Sequence, residues 1–101
     1  MSVVVVVRAF PVPERRAEVI AAVEAAIVRV HDESGVELYA LHERRDRLVM
    51  IEVRVEEAAS EHSKGAALAD LLSALEGKLS GDLDVQVLVP HPAGNAQKGA
   101  L

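Results

Sequence analysis

The chain has 101 residues, half of them hydrophobic, and a formal net charge of -5 from 11 Lys and Arg against 16 Asp and Glu. This is the length of one domain, and the acidic balance is opposite to the basic footprint of a protein that grips a phosphate backbone. With no cysteine there is no disulfide framework, thiolate nucleophile or thiolate metal site, and with aromatics at 2% the core must be aliphatic.

Ser2 to Ala9 opens the chain with five consecutive valines, whose β-branched side chains favour a pleated strand. The apolar run from Val3 to Val7 falls far short of the roughly 20 residues of a membrane span, and no basic region or small-residue cleavage site surrounds it. The chain therefore reads as soluble and cytoplasmic, with neither a membrane nor a nucleic acid as partner. Pro13 sits where a first helical turn tolerates it, and a helix is predicted from Glu14 to His31. Its apolar stripe is Ile20, Val23, Ile27 and Val30, and Ser34-Gly35 ends it.

Val36 to His42 alternates, with Val36, Leu38 and Ala40 on one face and Glu37, Tyr39 and Leu41 on the other. A charged link from Glu43 to Arg47 leads into a second alternating run, Leu48 to Val55, so the two strands read as an antiparallel hairpin. The acidic stretch Glu56 to Ser63 has the length of two helical turns. After Gly65, Ala66 to Leu79 carries Leu68, Leu71, Leu72, Leu75 and Leu79 on one side, with Ser80-Gly81 as the expected stop. Leu83 to Val89 alternates as a last strand. The small, polar tail from residue 91 to 101 is expected to be loosely held, which leaves residues 1–90 as the domain.

The order is β-α-β-β-α-β, an α+β, ferredoxin-like arrangement with a four-stranded antiparallel sheet. Two helices cover one face of such a sheet, yet both faces of the expected central strands are apolar: Val4 and Val6 oppose Val3, Val5 and Val7, while Val49, Ile51 and Val53 oppose Leu48 and Met50. A wet apolar face invites association. The expected remedy is a homodimer, packed sheet to sheet.

The pieces also fall in a familiar order. Arg8 precedes a Pro-containing turn; Glu33-Ser34-Gly35-Val36 is followed by Tyr39-Ala40-Leu41-His42. Then come Glu52 on the third strand, His62-Ser63-Lys64-Gly65 before the leucine helix, and Pro92-Ala93-Gly94 with Lys98-Gly99 at the end. In this the chain resembles the antibiotic biosynthesis monooxygenase family of small dimeric α+β barrels, which includes cofactor-independent quinol monooxygenases. The resemblance implies a homodimer that needs no cofactor and acts with O2 on a hydroquinone, phenol or polyketide-type aromatic. Many members carry a Trp after the third-strand Glu, where this chain has Val53-Arg54-Val55.

His62 and Glu52 are the candidate catalytic bases. The resemblance places His62 near a cavity between helices and sheet, where a neutral imidazole takes a proton from a phenol; a solvated helix face is the plainer reading. Glu52 lies on an otherwise apolar strand face with Leu48, Met50 and Arg54, where burial disfavours its charge unless it is paired. Arg54 and Arg8 are candidate substrate contacts and equally candidate ion-pair partners for Glu52. Tyr39 is a candidate for orienting a ring substrate, or a filler of the core or dimer interface. His42, His31 and His91 read as surface residues. No His-x-His or His-x-x-x-His pair occurs, so no metal site is expected. A small-metabolite isomerase and a non-catalytic ligand-binding module on the same scaffold stay open beside the oxygenase.

Overall fold

The computed structural model describes residues 2–56 and 65–101. The elements run β1 (Ser2–Ala9), a 3-10 turn (Pro13–Arg15), α1 (Arg16–Val30), β2 (Val36–Arg44), β3 (Arg47–Val55), α2 (Ala66–Leu75) and β4 (Asp84–Leu88). The strands form one antiparallel sheet in the order β2-β3-β1-β4, the ferredoxin-like α+β fold expected from the pattern. The β-branched, apolar runs take the centre and the more polar strands take the edges, because only the central pair is flanked by backbone on both sides.

Both helices pack on one face of the sheet. The core there joins Val19, Val23 and Val30 of α1, Ala67 and Leu75 of α2, and Tyr39, Leu48 and Met50 of the sheet. The buried stripe of α1 is Val19, Val23, Ala26 and Val30, displaced by one residue at two positions from the predicted one. Ile20 and Ile27 flank the core instead, and the small Ala26 sits on the buried side, where a short side chain permits close approach. Helix α2 ends at Leu75, four residues before the predicted last helical residue, Leu79, and Gly77 just beyond it has φ 76, a left-handed conformation that glycine adopts without cost. The segment after it is tied to the chain following β1, with Val12 N donating to Lys78 O at 2.9 Å and Ser80 N to Phe10 O at 2.8 Å.

A β-bulge between Val36 and Leu38 places Val36 opposite Arg54 and Leu38 opposite Val53. The extra residue turns Val36 to the helix side, against the core, so the expected shared face of Val36, Leu38 and Ala40 is split. On the far side of the sheet, Val6 pairs with Ile51, and Leu38 and Leu88 are exposed. Residues 93–99 close on themselves as a turn, in which Gly99 N donates to Asn95 O at 2.7 Å. No helix among the described residues is long and apolar enough to cross a membrane.

Candidate active site

Between the helices and the sheet lies a cavity of about 210 Å³. Its floor is the helix-facing row of each strand: Val5, Val7 and Ala9 of β1, Tyr39 and Leu41 of β2, Leu48, Met50, Glu52 and Arg54 of β3, and Val85 and Val87 of β4. Val23 of α1 and Leu68, Leu71 and Leu75 of α2 form its roof, with Leu83 at one side. Among the described residues the wall is aliphatic except at one place. Register sets Tyr39 and Val5 on either side of Glu52, and strand alternation puts Arg54 two residues along on the same face as Glu52. The three polar side chains are therefore neighbours by construction.

All three are buried: Glu52 is 4% exposed, Arg54 1% and Tyr39 6%. Arg54 Nη2 lies 3.0 Å from Glu52 Oε1, Arg54 Nη1 lies 4.0 Å from Glu33 Oε1, and the guanidinium carbon stands 5.6 Å from the centre of the Tyr39 ring. The contact with Glu52 is a close ion pair. None of the three guanidinium nitrogens makes a hydrogen bond among the described residues. An arginine cannot shed its charge, so these are buried donors around a fixed positive charge.

Burial pushes the Glu52 carboxyl above its ordinary value; the Arg54 guanidinium pulls it down by less, and the Glu33 charge adds to the rise. Burial likewise pushes the Tyr39 hydroxyl up to about 12, with Glu52 adding to it and Arg54 opposing. Tyr39 thus keeps its proton through the physiological range and acts as a donor, whereas Glu52 is a carboxylate made more basic by its surroundings. His31 steadies the tyrosine from behind: its Nε2–H donates to Tyr39 O at 2.9 Å, and its ring meets the phenol edge to face at 6.4 Å.

Glu52, Arg54 and Tyr39, three of the residues picked out in the sequence, are thus brought together. Arg8 is not with them. It is on the far face of the sheet, where its Nε donates to Asp84 Oδ2 at 2.6 Å, because an even-numbered position on β1 faces away from the cavity. Arg54, not Arg8, is the partner of Glu52. His62 lies outside the described residues. His42 and His91 are exposed, as read from the sequence; His31 is exposed too but carries the contact to Tyr39 that no sequence pattern signals. Tyr39 is enclosed in the core and the cavity wall. Among the described residues no three His, Cys, Asp or Glu side chains converge as a metal site requires.

An α+β sheet-and-helix protein with an apolar cavity and a buried Tyr-Glu-Arg group defines the class. Comparison with solved structures gives that class its relatives. Rv0793 of Mycobacterium tuberculosis superposes with a TM-score of 0.87 at 26% identity, covering 94% of this chain and all 100% of its own. An antibiotic biosynthesis monooxygenase follows with a TM-score of 0.82 at 18% identity, covering 89% of this chain and 99% of its own. A Nitrosomonas europaea protein named for the same family gives 0.81 at 13% identity, over 86% of this chain and 96% of its own. The chain therefore has the fold of the antibiotic biosynthesis monooxygenases. No family model matches the sequence, and no functionally curated protein does.

Proposed function

We propose that the protein is a cofactor-independent monooxygenase acting with O2 on a small hydroquinone or phenol held in the cavity. The observation that carries this reading is an aliphatic cavity whose polar lining, among the described residues, is gathered into one buried group, Tyr39, Glu52 and Arg54. Glu52, its basicity raised by burial, takes the hydroxyl proton; Arg54 stabilises the phenolate that forms, and Tyr39 donates to a substrate oxygen. The electron-rich ring then reduces O2: one oxygen atom enters the ring, the other leaves as water, and the ring supplies all four electrons by ending as the quinone. A dry wall favours this by stripping water from the reacting anion. Likeness to structures named as antibiotic biosynthesis monooxygenases supports the same reading.

Size narrows the substrate. A cavity of about 150 Å³ accommodates benzene, so the 210 Å³ available suits one substituted ring better than a polyketide of several fused rings. The test is oxygen uptake by metal-free protein with a one-ring hydroquinone, comparing wild type with Glu52→Gln and His62→Ala. Loss of a general base is expected to lower the rate by on the order of 10²-fold or more. Unchanged uptake in both variants would remove the proposed base chemistry.

Two further elements belong to this reading. The apolar side chains on the far face of the sheet, Val6 opposite Ile51 with Leu38 and Leu88 exposed beside them, support a homodimer through that face. A second activity is favoured by one observation: a proton-bearing Tyr39 beside a basic Glu52 is an acid and base pair, sufficient for isomerising a small metabolite without O2. Proton exchange into a bound substrate under nitrogen separates the two activities.

A further inference from the structure

We infer that the ligand of the cavity is an organic acid, a monocarboxylate on a one-ring or similarly sized apolar body, with its carboxylate against Arg54. The inference deepens the reading of this cavity as the binding site and rests on it. Three observations carry it. Arg54 lines the cavity while 99% removed from solvent, being 1% exposed, and no nitrogen of its guanidinium makes a hydrogen bond among the described residues. A buried fork of donors with a permanent charge matches a planar carboxylate, which accepts two parallel N–H bonds, better than it matches a single hydroxyl. Among the described residues the rest of the wall is aliphatic and offers a ligand body no polar anchor besides Tyr39 and Glu52.

Charge bookkeeping then gives the complex a signature. Among the described residues, the groups facing Glu52 are Arg54 on its own strand, Tyr39 on β2 and Glu33 in the segment after α1, while β1 presents Val5 to it. His31 is one step removed, behind Tyr39. An arriving carboxylate shares one guanidinium with Glu52, and two carboxylates around one cation do not both stay ionised in a buried site. Binding therefore brings in a proton, held by Glu52 or by the ligand as a coupled pair. It weakens as pH rises, because the proton must come from an increasingly dilute supply.

The test is calorimetric titration of the full-length protein with benzoate and with benzyl alcohol, at pH 6 and pH 8, in buffers of different ionisation heat. Benzoate is expected to bind at least tenfold more tightly than benzyl alcohol at pH 6, with uptake of up to one proton and an affinity that falls by pH 8. Arg54→Gln is expected to abolish that preference while still binding benzyl alcohol, which also reports an intact cavity. Glu52→Gln is expected to keep benzoate binding with the proton uptake lost or diminished. Equal or tighter binding of benzyl alcohol by the wild type, or no binding of either probe, overturns the inference without recourse to any variant. The oxygenase reading fails separately: benzoate binding without oxygen uptake on any hydroquinone sinks that reading and leaves this one, and turnover without a preference for benzoate does the reverse.

Discussion

Replacing Arg54 by Met keeps the length of the side chain and removes its charge, which isolates what the guanidinium does for Glu52. Glu52 is 4% exposed, and its nearest cation would be gone. Breaking a buried pair by removing one partner costs about 3–5 kcal/mol when the remaining charge must stay. Glu52 escapes that cost by taking a proton. Burial and Glu33 already push its carboxyl upward, and loss of Arg54 removes the opposing pull. The sign follows: a carboxyl with a raised value in the fold contributes stability that is complete below its unfolded value and is lost as pH rises through the folded one. Stability lost this way is limited to about 1.4 kcal/mol per pH unit for a single proton, or about 4 kcal/mol between pH 5 and pH 8. The deficit of Arg54→Met relative to wild type is therefore expected to be larger at pH 8 than at pH 5, the increase staying below the limit of about 4 kcal/mol because the raised Glu52 of the wild type loses part of its own stability over the same interval. Urea unfolding at both pH values measures it, and the Glu52→Gln, Arg54→Met double variant should recover part of the loss at pH 8. A deficit equal at pH 5 and pH 8 would refute the placement of a buried, proton-accepting carboxylate beside Arg54.

Leu48 is 2% exposed in the core and Val28 is 68% exposed on α1, so Leu48→Ala is expected to cost about 2–5 kcal/mol and Val28→Ala under about 0.5 kcal/mol by urea unfolding. Similar costs for the two would contradict the packing of α1 and the sheet. Ile51 lies on the far face of the sheet, opposite Val6 on β1 and Ala40 on β2. Ile51→Glu is expected to convert a dimer into a monomer in sedimentation while leaving the fold intact by circular dichroism, because a two-fold interface would bury the new charge twice. A wild type that sediments as a monomer at micromolar concentration would remove the dimer.

Strand alternation made part of the site legible in advance. Glu52 and Arg54 interrupt an apolar row begun by Leu48 and Met50, and period two puts all four on one face whatever the rest of the chain does. Arg8 shows the limit of the same rule: its parity on β1 was readable, but which parity faces the helices depends on the pairing with β3. Val36 shows another limit, because a single bulge reverses the face of a residue without leaving a mark in composition. The contacts of Glu33 and His31 come from how the chain leaves α1 and enters β2, and no local pattern encodes that approach.

By itself, then, the sequence determined the element order, the aliphatic character of the core and the polar interruptions of β3, since each follows from periodicity and side-chain chemistry within a few residues. Tertiary structure alone decided that Tyr39, Glu52 and Arg54 share one cavity, that Arg8 is paired with Asp84 outside it, and that the guanidinium of Arg54 is buried. Burial and proximity are set by elements distant along the chain. The strength of a charge, the basicity of a carboxyl and the cost of an unmade hydrogen bond all depend on them.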